Sequence, residues 1–406
     1  NIRSWLTGIT GSSFEQVLHY TDGTGIPYYN GNISSMVWKS GEDDIMRGYH
    51  FTYDNLNRLT NAVYGEGSVL VQNQNRFNEQ VTGYDKMSNI LGIKRSGQTS
   101  STGYGLIDDL AMSYNGNQLK SVSDRATNSV YGNGFDFKDG VNKEAEYEYD
   151  ENGNMTKDLN KKILNIQYNF INLPSRIEFE NGHVISYLYD ADGIKLRTTH
   201  IIGSDTTVTD YCGNVIYENG IPVKLLTEAG YVTLADSKYH YFVQDHLGNN
   251  RVVVDQSGNV EEVNHYYPFG GLLSSSVSNA VQPYKYNGKE LDRKNGLDWY
   301  DYGARMYDAA LGRWHAVDPM SEKYYSWSPY TYCKNNPVLR IDLDGKDDYV
   351  ISRSGRLFNE TPIDKRGKGS TDNLYLSSDR SISVTVNQGL LGEIHSMQAK
   401  EQKENR

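Results

Sequence analysis

The chain has 406 residues, of which only 37% are hydrophobic, and it carries a net charge of −11. The acidic balance and the lack of a strongly basic block disfavour nucleic acid as a partner of the repeat region. Its 33 tyrosines, against 10 phenylalanines and 5 tryptophans, and its 39 glycines, against 9 prolines, disfavour a helical enzyme. They are typical of many short strands joined by turns, with tyrosine supplying much of the buried surface.

A tyrosine followed by Asp or Asn recurs along the first half of the chain. The clearest copies are Tyr53-Asp54, Tyr84-Asp85, Tyr149-Asp150 and Tyr189-Asp190, with looser ones at Tyr29-Asn30, Tyr114-Asn115 and Tyr168-Asn169. The Asp or Asn can hydrogen-bond its own backbone two residues later, and a following Gly or Asn supplies a positive φ. Each copy therefore predicts a β-hairpin turn, and consecutive hairpins should join into one continuous sheet.

The repeat tyrosines allow two interpretations. Alternation such as Tyr187-Leu188-Tyr189 places two rings on one face of a strand, which favours tyrosines that are buried with their hydroxyls hydrogen-bonded. The alternative is that exposed rings stack on sugars, so that the chain is a cell-surface carbohydrate-binding or adhesion module.

Further motifs follow in order between Tyr241 and Gly345. They are Asp245-His246-Leu247-Gly248-Asn249-Asn250-Arg251, Tyr267-Pro268-Phe269-Gly270, Tyr286-Asn287-Gly288-Lys289-Glu290-Leu291-Asp292, Gly303-Ala304-Arg305-Met306-Tyr307-Asp308, Leu311-Gly312-Arg313-Trp314, Asp318-Pro319 and Tyr330-Thr331-Tyr332-Cys333-Lys334-Asn335-Asn336-Pro337. Together with the repeats, this series resembles the Rhs (rearrangement hotspot) family of YD-repeat polymorphic toxins and its repeat-associated core domain.

The resemblance implies a β-ribbon that spirals into a hollow shell, which the core domain closes at one end around a variable C-terminal segment. We therefore expect an all-β fold, an antiparallel hairpin ribbon with a small mixed C-terminal segment. The expected domains are the repeat ribbon at 1–237, the core domain at 238–346 and the start of a cargo at 347–406. Because the chain opens at Asn1 without Met and stops in a charged stretch, it is expected to be an internal piece of a longer polypeptide.

The function implied is a shell that encloses or presents a C-terminal effector in interbacterial competition. The implied partners are that effector, an immunity protein and export or outer-membrane machinery, with glycans added under the adhesion alternative. The implied location is outside the cell or on the bacterial surface.

A third hypothesis is self-cleavage by an aspartate pair. Many relatives cut their own chain after an Asp-Pro-x-Gly-hydrophobic motif, and two close carboxyls can divide the roles of acid and base. By motif these are Asp318 and Asp342, with the scissile bond near Lys346-Asp347. The alternative is that both aspartates only cap turns.

The pattern departs from cleaving relatives at three positions. Val317 stands where they have Arg, Leu343 replaces the proline of the second motif, and Lys346 replaces the hydrophobic residue. We therefore predict that the boundary is present but that cleavage is slow or absent.

The sequence predicts neither a cofactor nor a metal site. The histidines lack metal-ligand spacing, and His246 is interpreted as a structural hydrogen-bonder. The acidic pairs Asp43-Asp44, Asp108-Asp109 and Asp347-Asp348 predict solvated turns. Cys212 and Cys333 could form one disulfide or remain free thiols.

The repeat rhythm stops after Gly345. Residues 349–358 predict a strand, a turn and a strand, 364–370 a loop, and 381–386 another strand. Leu390, Leu391, Ile394 and Met397 keep helical spacing and predict a helix near the end of the sequence.

Overall fold

The computed structural model describes residues 5–41, 43–276 and 282–351, together with the backbone of three short strands in 357–387. Strands and turns account for nearly all of it. Single 3-10 turns occur at Tyr286–Gly288, Lys294–Gly296, Ser321–Lys323 and Cys333–Asn335. None of the helices in the described part of the chain has the length and apolarity needed to cross a bilayer.

The first sheet has nine strands, β1 to β9, in sequence order. They are Gly8–Thr10, Phe14–His19, Ser35–Ser40, Arg47–Tyr53, Leu59–Glu66, Glu79–Tyr84, Ile90–Gln98, Tyr104–Asn115 and Gln118–Asp124.

The second sheet has thirteen strands, β10 to β22, also in sequence order. They are Tyr147–Tyr149, Met155–Asp158, Ile163–Tyr168, Pro174–Phe179, Val184–Tyr189, Lys195–Ile202, Asp205–Cys212, Val215–Glu218, Ile221–Thr227, Gly230–Thr233, Lys238–Gln244, Asn250–Asp255 and Val260–Val263. The sheet crosses the predicted boundary between residues 237 and 238 without a break, and the domain limits remain a prediction.

Two smaller sheets follow. A four-stranded sheet contains β23 to β26, which are Glu290–Asp292, Trp299–Asp301, Met306–Asp308 and Arg313–Trp314. A five-stranded sheet contains β27 to β31, which are Arg340–Asp342, Asp348–Ile351, Leu357–Asn359, Thr371–Tyr375 and Ser383–Asn387. Its spatial order is β27-β28-β29-β31-β30. Neighbours in the first three sheets are antiparallel and consecutive in sequence, so the predicted all-β hairpin ribbon is confirmed.

One turn design recurs along the ribbon. An Asp or Asn side-chain oxygen accepts hydrogen bonds from the backbone N–H groups two and four residues later. The residue three positions later has a positive φ, between 60° and 87° in the seven examples. The turns begin at Asp54, Asp85, Asp150, Asn169, Asp190, Asp245 and Asp255. The mechanism predicted for the Tyr-Asp repeat is therefore confirmed at the level of single hydrogen bonds.

The tyrosine of each repeat connects it to the one before. Its hydroxyl donates to the carbonyl of the apolar residue at, or two positions before, the start of the previous return strand. The pairs are Tyr53 to Ile33 at 2.9 Å, Tyr84 to Leu59 at 2.5 Å, Tyr114 to Ile90 at 2.5 Å and Tyr168 to Met155 at 2.7 Å. In Tyr149 the hydroxyl accepts from the N–H of Leu119 instead, at 3.2 Å. Among the described residues, the buried hydroxyl of Tyr189 lacks a partner, which differs from the prediction.

The chain after the second sheet covers the row of turns. We call residues 264–276 and 282–340 the core segment. Its Ser328 N–H donates to the carbonyl of Met87, and its Tyr330 hydroxyl donates to that of Gly153, both at 2.7 Å. Its tryptophans Trp299 and Trp314 are fully buried in a hydrophobic core that also contains residues of both large sheets. The ribbon and the core segment therefore share one core.

The C-terminal predictions are tested only in part. The predicted strand, turn and strand over 349–358 corresponds to the antiparallel pair β28 and β29, and the strand over 381–386 to β31. Strand β30 was not predicted. The predicted loop at 364–370 and the helix through Leu390 and Met397 lie outside the described residues.

Removing a repeat carboxylate should weaken the ribbon measurably. We expect Asp85→Ala to lower the free energy of unfolding by about 1–2 kcal/mol, because the N–H groups of Met87 and Asn89, both at 2.8 Å, lose their acceptor. The matched control Asp192→Ala removes an exposed turn carboxylate and should stay within about 0.5 kcal/mol of the parent. Urea unfolding measures both, and equal effects would contradict a structural role for the repeat Asp.

Candidate functional site

The two aspartates singled out by motif lie near each other at the end of the core segment. Asp318 precedes the 3-10 turn at Ser321–Lys323, and Asp342 ends strand β27. Their side chains are 13% and 3% exposed. The fold therefore brings together the carboxyls that the resemblance paired.

Arg305 lies between these carboxylates. Its Nη2 is 3.0 Å from Oδ2 of Asp318 and 3.4 Å from Oδ2 of Asp342. The same guanidinium donates through Nε to the carbonyl of Gly345 at 2.6 Å, and it lies 4.2 Å from the ring of Trp314. With a side chain only 2% exposed, Arg305 is a fixed cation at the centre of the site.

Burial sets the protonation of the pair. It raises the pKa of Asp342 to about 7, although the charge of Arg305 opposes the shift. It also raises the pKa of Asp318, again against the charge of Arg305. Asp342 can therefore hold a proton near neutrality, which an acid in peptide hydrolysis requires.

Both aspartates also act as turn caps. Oδ1 of Asp342 accepts from the N–H groups of Asp344, Gly345 and Lys346 at 3.1, 2.7 and 3.3 Å. Oδ1 of Asp318 accepts from the N–H of Met320 at 2.7 Å. The predicted alternative, structural capping, is therefore realised in the geometry, and each carboxylate has only Oδ2 directed toward Arg305.

The predicted scissile bond lies in the hairpin between β27 and β28. The Lys346 side chain is about half exposed, so this position places no apolar side chain in the core. On its other side, the Asp347 carboxylate lies 3.1 Å from Nζ of Lys323 and accepts from the Tyr324 hydroxyl at 2.9 Å. The segment around Lys346-Asp347 is thus held in place on both flanks.

Val317 stands where cleaving relatives have Arg, and nothing in the sequence pattern indicated that Arg305 belongs to the site. Arg305 belongs to the motif Gly303-Ala304-Arg305 and reaches the site because the N–H of Ala304 donates to the carbonyl of Asp344 at 3.0 Å. The motif Gly303-Ala304-Arg305 was the only signal in the sequence that marked Arg305. The proximity of Arg305 to Asp342 depends on how β27 packs, which the motif does not show.

The raised carboxyl pKa values predict the direction of a pH dependence. An unfolded aspartate titrates near pH 3.9, whereas Asp342 does so at about 7 in the folded chain. The folded state therefore binds the extra proton between these values, and the stability it provides at low pH is lost as pH rises through about 7. We expect Asp342→Asn to remove up to about 1.4 kcal/mol per pH unit from this slope. Urea midpoints across the window measure it, and an unchanged slope would contradict the assignment.

Most of the repeat tyrosines are not exposed, although Tyr29 is 69% accessible. Tyr53 and Tyr84 are packed against the core with their hydroxyls bonded to backbone carbonyls. A different pair is exposed: Tyr239 and Tyr241 on β20 are 49% and 41% accessible, with ring centroids 6.5 Å apart and planes at 17°. This pair is therefore a better candidate for glycan stacking than the buried repeat tyrosines.

Other predicted side chains have structural positions. His246 hydrogen-bonds through Nε2 to the carbonyl of Val338 at 2.9 Å, as predicted. Cys212 and Cys333 are free thiols. The prediction of solvated acidic turns is wrong for Asp108, which is buried in strand β8 and paired with Arg95. It is also wrong for Asp348, which is buried in strand β28 and paired with Arg340. In both cases a neighbouring cation compensates the burial of the carboxylate. Within the described ranges, no group of three or more His, Cys, Asp or Glu side chains could hold a metal ion.

Comparison with known proteins identifies the class of this fold. Residues 226–338 match the family model described as Teneurin YD-shell. Salivary gland surface protein 1 of Aedes aegypti is 33% identical over 224 residues, which are 49% of this chain and 6% of that protein. Toxin subunit YenC1 of Yersinia entomophaga is 26% identical over 193 residues, or 43% of this chain and 19% of that one.

A solved structure shows the same fold. The crystal structure of TcdB2-TccC3-Cdc42 superimposes with a TM-score of 0.54 at 18% identity, covering 82% of this chain and 18% of that one. The chain thus spans less than a fifth of the length of each of these relatives. These matches support the resemblance to the Rhs and YD-repeat toxin family, and the hairpin ribbon is similar to the YD-shell of those proteins.

Proposed function

We propose that this shell module encloses or presents the chain's own C-terminal segment as an effector in interbacterial competition. The observation that carries the proposal is the hairpin ribbon and core segment packed into one unit, followed directly by a segment of different composition. A single hairpin of the ribbon cannot bury its aromatic side chains alone, so the hairpins must pair into one continuous sheet. Such an extended sheet favours a container over a compact catalytic domain.

The junction at Asp347 supports this proposal. Asp348 pairs with Arg340 at 2.8 Å, and its strand β28 pairs in register with β27 of the module. The segment that follows therefore leaves the module from a fixed point, as a presented or enclosed cargo requires.

The proposed partners and location follow from the resemblance to YD-repeat toxins. Besides the C-terminal segment, they are an immunity protein and export or outer-membrane machinery, with the protein secreted or held on the bacterial surface. The relatives support this setting, since one is named a toxin subunit and another a surface protein.

A competition assay tests the effector role. The strain that carries the full-length gene should kill a sibling that lacks the gene, and deletion of the coding region from residue 347 onward should abolish killing. Tyr239→Ala with Tyr241→Ala should leave killing intact. Killing that survives the deletion would contradict the proposal, and glycan-array binding lost in the tyrosine variant would support the adhesion alternative.

We also propose that self-cleavage near Lys346-Asp347 is slow or absent. Arg305 occupies the space between the two Oδ2 atoms, where a shared water would have to bind, and Oδ1 of Asp342 is already filled by backbone donors. Denaturing gel electrophoresis of the purified chain should show one full-length band. A fragment that starts near Asp347 and disappears in Asp318→Asn would overturn this proposal.

A further inference from the structure

A second cluster joins the ribbon to the core segment. Lys195 on β15 extends its amine to two carboxylates of the four-stranded sheet, Asp301 at 2.6 Å and Glu290 at 2.7 Å. The three side chains are 14%, 14% and 23% exposed. Glu290 and Asp301 are direct partners in the β23–β24 register, so their side chains lie on the same face of the sheet.

Tyr211 completes the surroundings of the amine. Its hydroxyl donates to Oε1 of Glu290 at 2.7 Å, which leaves Oε2 of that carboxylate for Lys195. Its ring lies 4.7 Å from Nζ. Each carboxylate is therefore oriented by a second donor, Glu290 by the Tyr211 hydroxyl and Asp301 by the N–H of Gly303 at 2.7 Å, and each directs its other oxygen to the amine.

We propose that Lys195 and Asp301 form an intramolecular isopeptide bond with Glu290 as the proton carrier. Glu290 takes a proton from Nζ and passes it to Oδ2 of Asp301, and the free amine then attacks Cγ of the protonated carboxyl. The Nζ–Cγ bond forms, one Cγ–O bond breaks, and the departing oxygen leaves as water with protons from the amine. The reaction needs no oxidant or cofactor, and it turns an ammonium and a carboxylate into a neutral amide.

Two physical effects favour this step. An amine held in contact with a carboxyl reacts as if at a very high local concentration, which removes the entropic cost of bringing them together. An ion pair kept mostly out of water also bears a desolvation penalty, and amide formation removes both charges from it. The product would tie residue 195 of the ribbon covalently to residue 301 of the core segment.

Mass spectrometry of the intact full chain tests the proposal. The expected mass is lower than the sequence mass by one water molecule. Trypsin should then release residues 177–197 joined to residues 295–305, without cleavage after Lys195. The exposed pair Lys157 and Glu148, also in contact at 2.6 Å, is the matched control and should remain unlinked. An intact mass equal to the sequence mass, with cleavage after Lys195, would overturn the proposal.

Variants separate the roles within the cluster. Lys195→Arg and Glu290→Gln should both restore the full sequence mass, and Asp301→Asn should lose ammonia in place of water if it still reacts. Tyr211→Phe should slow formation of the link without preventing it. Because the readout is a mass and a peptide map, it does not depend on toxin activity, and a link that persists in Glu290→Gln would refute the assigned role of Glu290.

Discussion

Arg95→Met should lower the free energy of unfolding by about 3–5 kcal/mol. Arg95 on β7 contacts Glu79 at 2.7 Å and Asp108 at 3.0 Å, and all three side chains are at most 2% exposed. The same guanidinium donates to the carbonyls of Ala309 and Ala310 at 3.0 and 2.9 Å. The substitution therefore leaves two buried carboxylates without a cation and removes two of the hydrogen bonds that join the ribbon to the core segment.

The matched control for this variant is Arg125→Met. Arg125 also contacts a carboxylate, Asp109 at 3.1 Å, but its side chain is 66% exposed, so its loss should change stability by less than about 1 kcal/mol. Urea unfolding of the two variants beside the parent measures the difference. If Arg95→Met were no more harmful than Arg125→Met, the buried network would not be holding the two parts together.

Trp314→Ala should be similarly severe, at about 3–5 kcal/mol. The Trp314 side chain is 1% exposed, and its ring meets those of Tyr302, Tyr307 and Tyr332 at centroid distances between 5.0 and 5.4 Å. Truncation would leave a cavity in the centre of the core segment and remove the ring beside Arg305.

The control for Trp314 is an aromatic residue at the surface. Tyr325 is 84% exposed, and Tyr325→Ala should fall within about 0.5 kcal/mol of the parent. Thermal unfolding followed by near-ultraviolet circular dichroism would report both stability and aromatic packing. Equal transitions in the two variants would contradict a packed aromatic core in this segment.

The turns of the repeat could be predicted from the sequence because the interactions that form each turn are local. The Asp oxygen, the positive φ and the return strand all lie within a few residues of each tyrosine, so sequence alone predicted the turns at Asp54, Asp85, Asp150 and Asp190. The antiparallel order followed, because short hairpins pair with their neighbours in sequence. The resemblance also named Asp318 and Asp342, and their role as a catalytic pair stays a prediction.

The remaining features depend on contacts between distant parts of the chain. Arg305 reaches Asp342 across 37 positions, and Arg95 reaches Ala310 across 215, so no local pattern shows either contact. The burial of Asp108 was missed for a different reason: its cation, Arg95, is only 13 positions away but lies on the neighbouring strand β7, and the acidic pair by itself resembles a turn. The contact of Lys195 with Glu290 spans 95 positions and connects two sheets.

Limited proteolysis of the purified protein tests the shell assignment most directly. If the module encloses its C-terminal segment, residues 347–406 should resist an added protease for as long as the repeat ribbon does, and both should become sensitive together once urea unfolds the ribbon. Arg95→Met should shift that loss of protection to lower urea. Rapid digestion of residues 347–406 while the repeats stay intact would contradict enclosure.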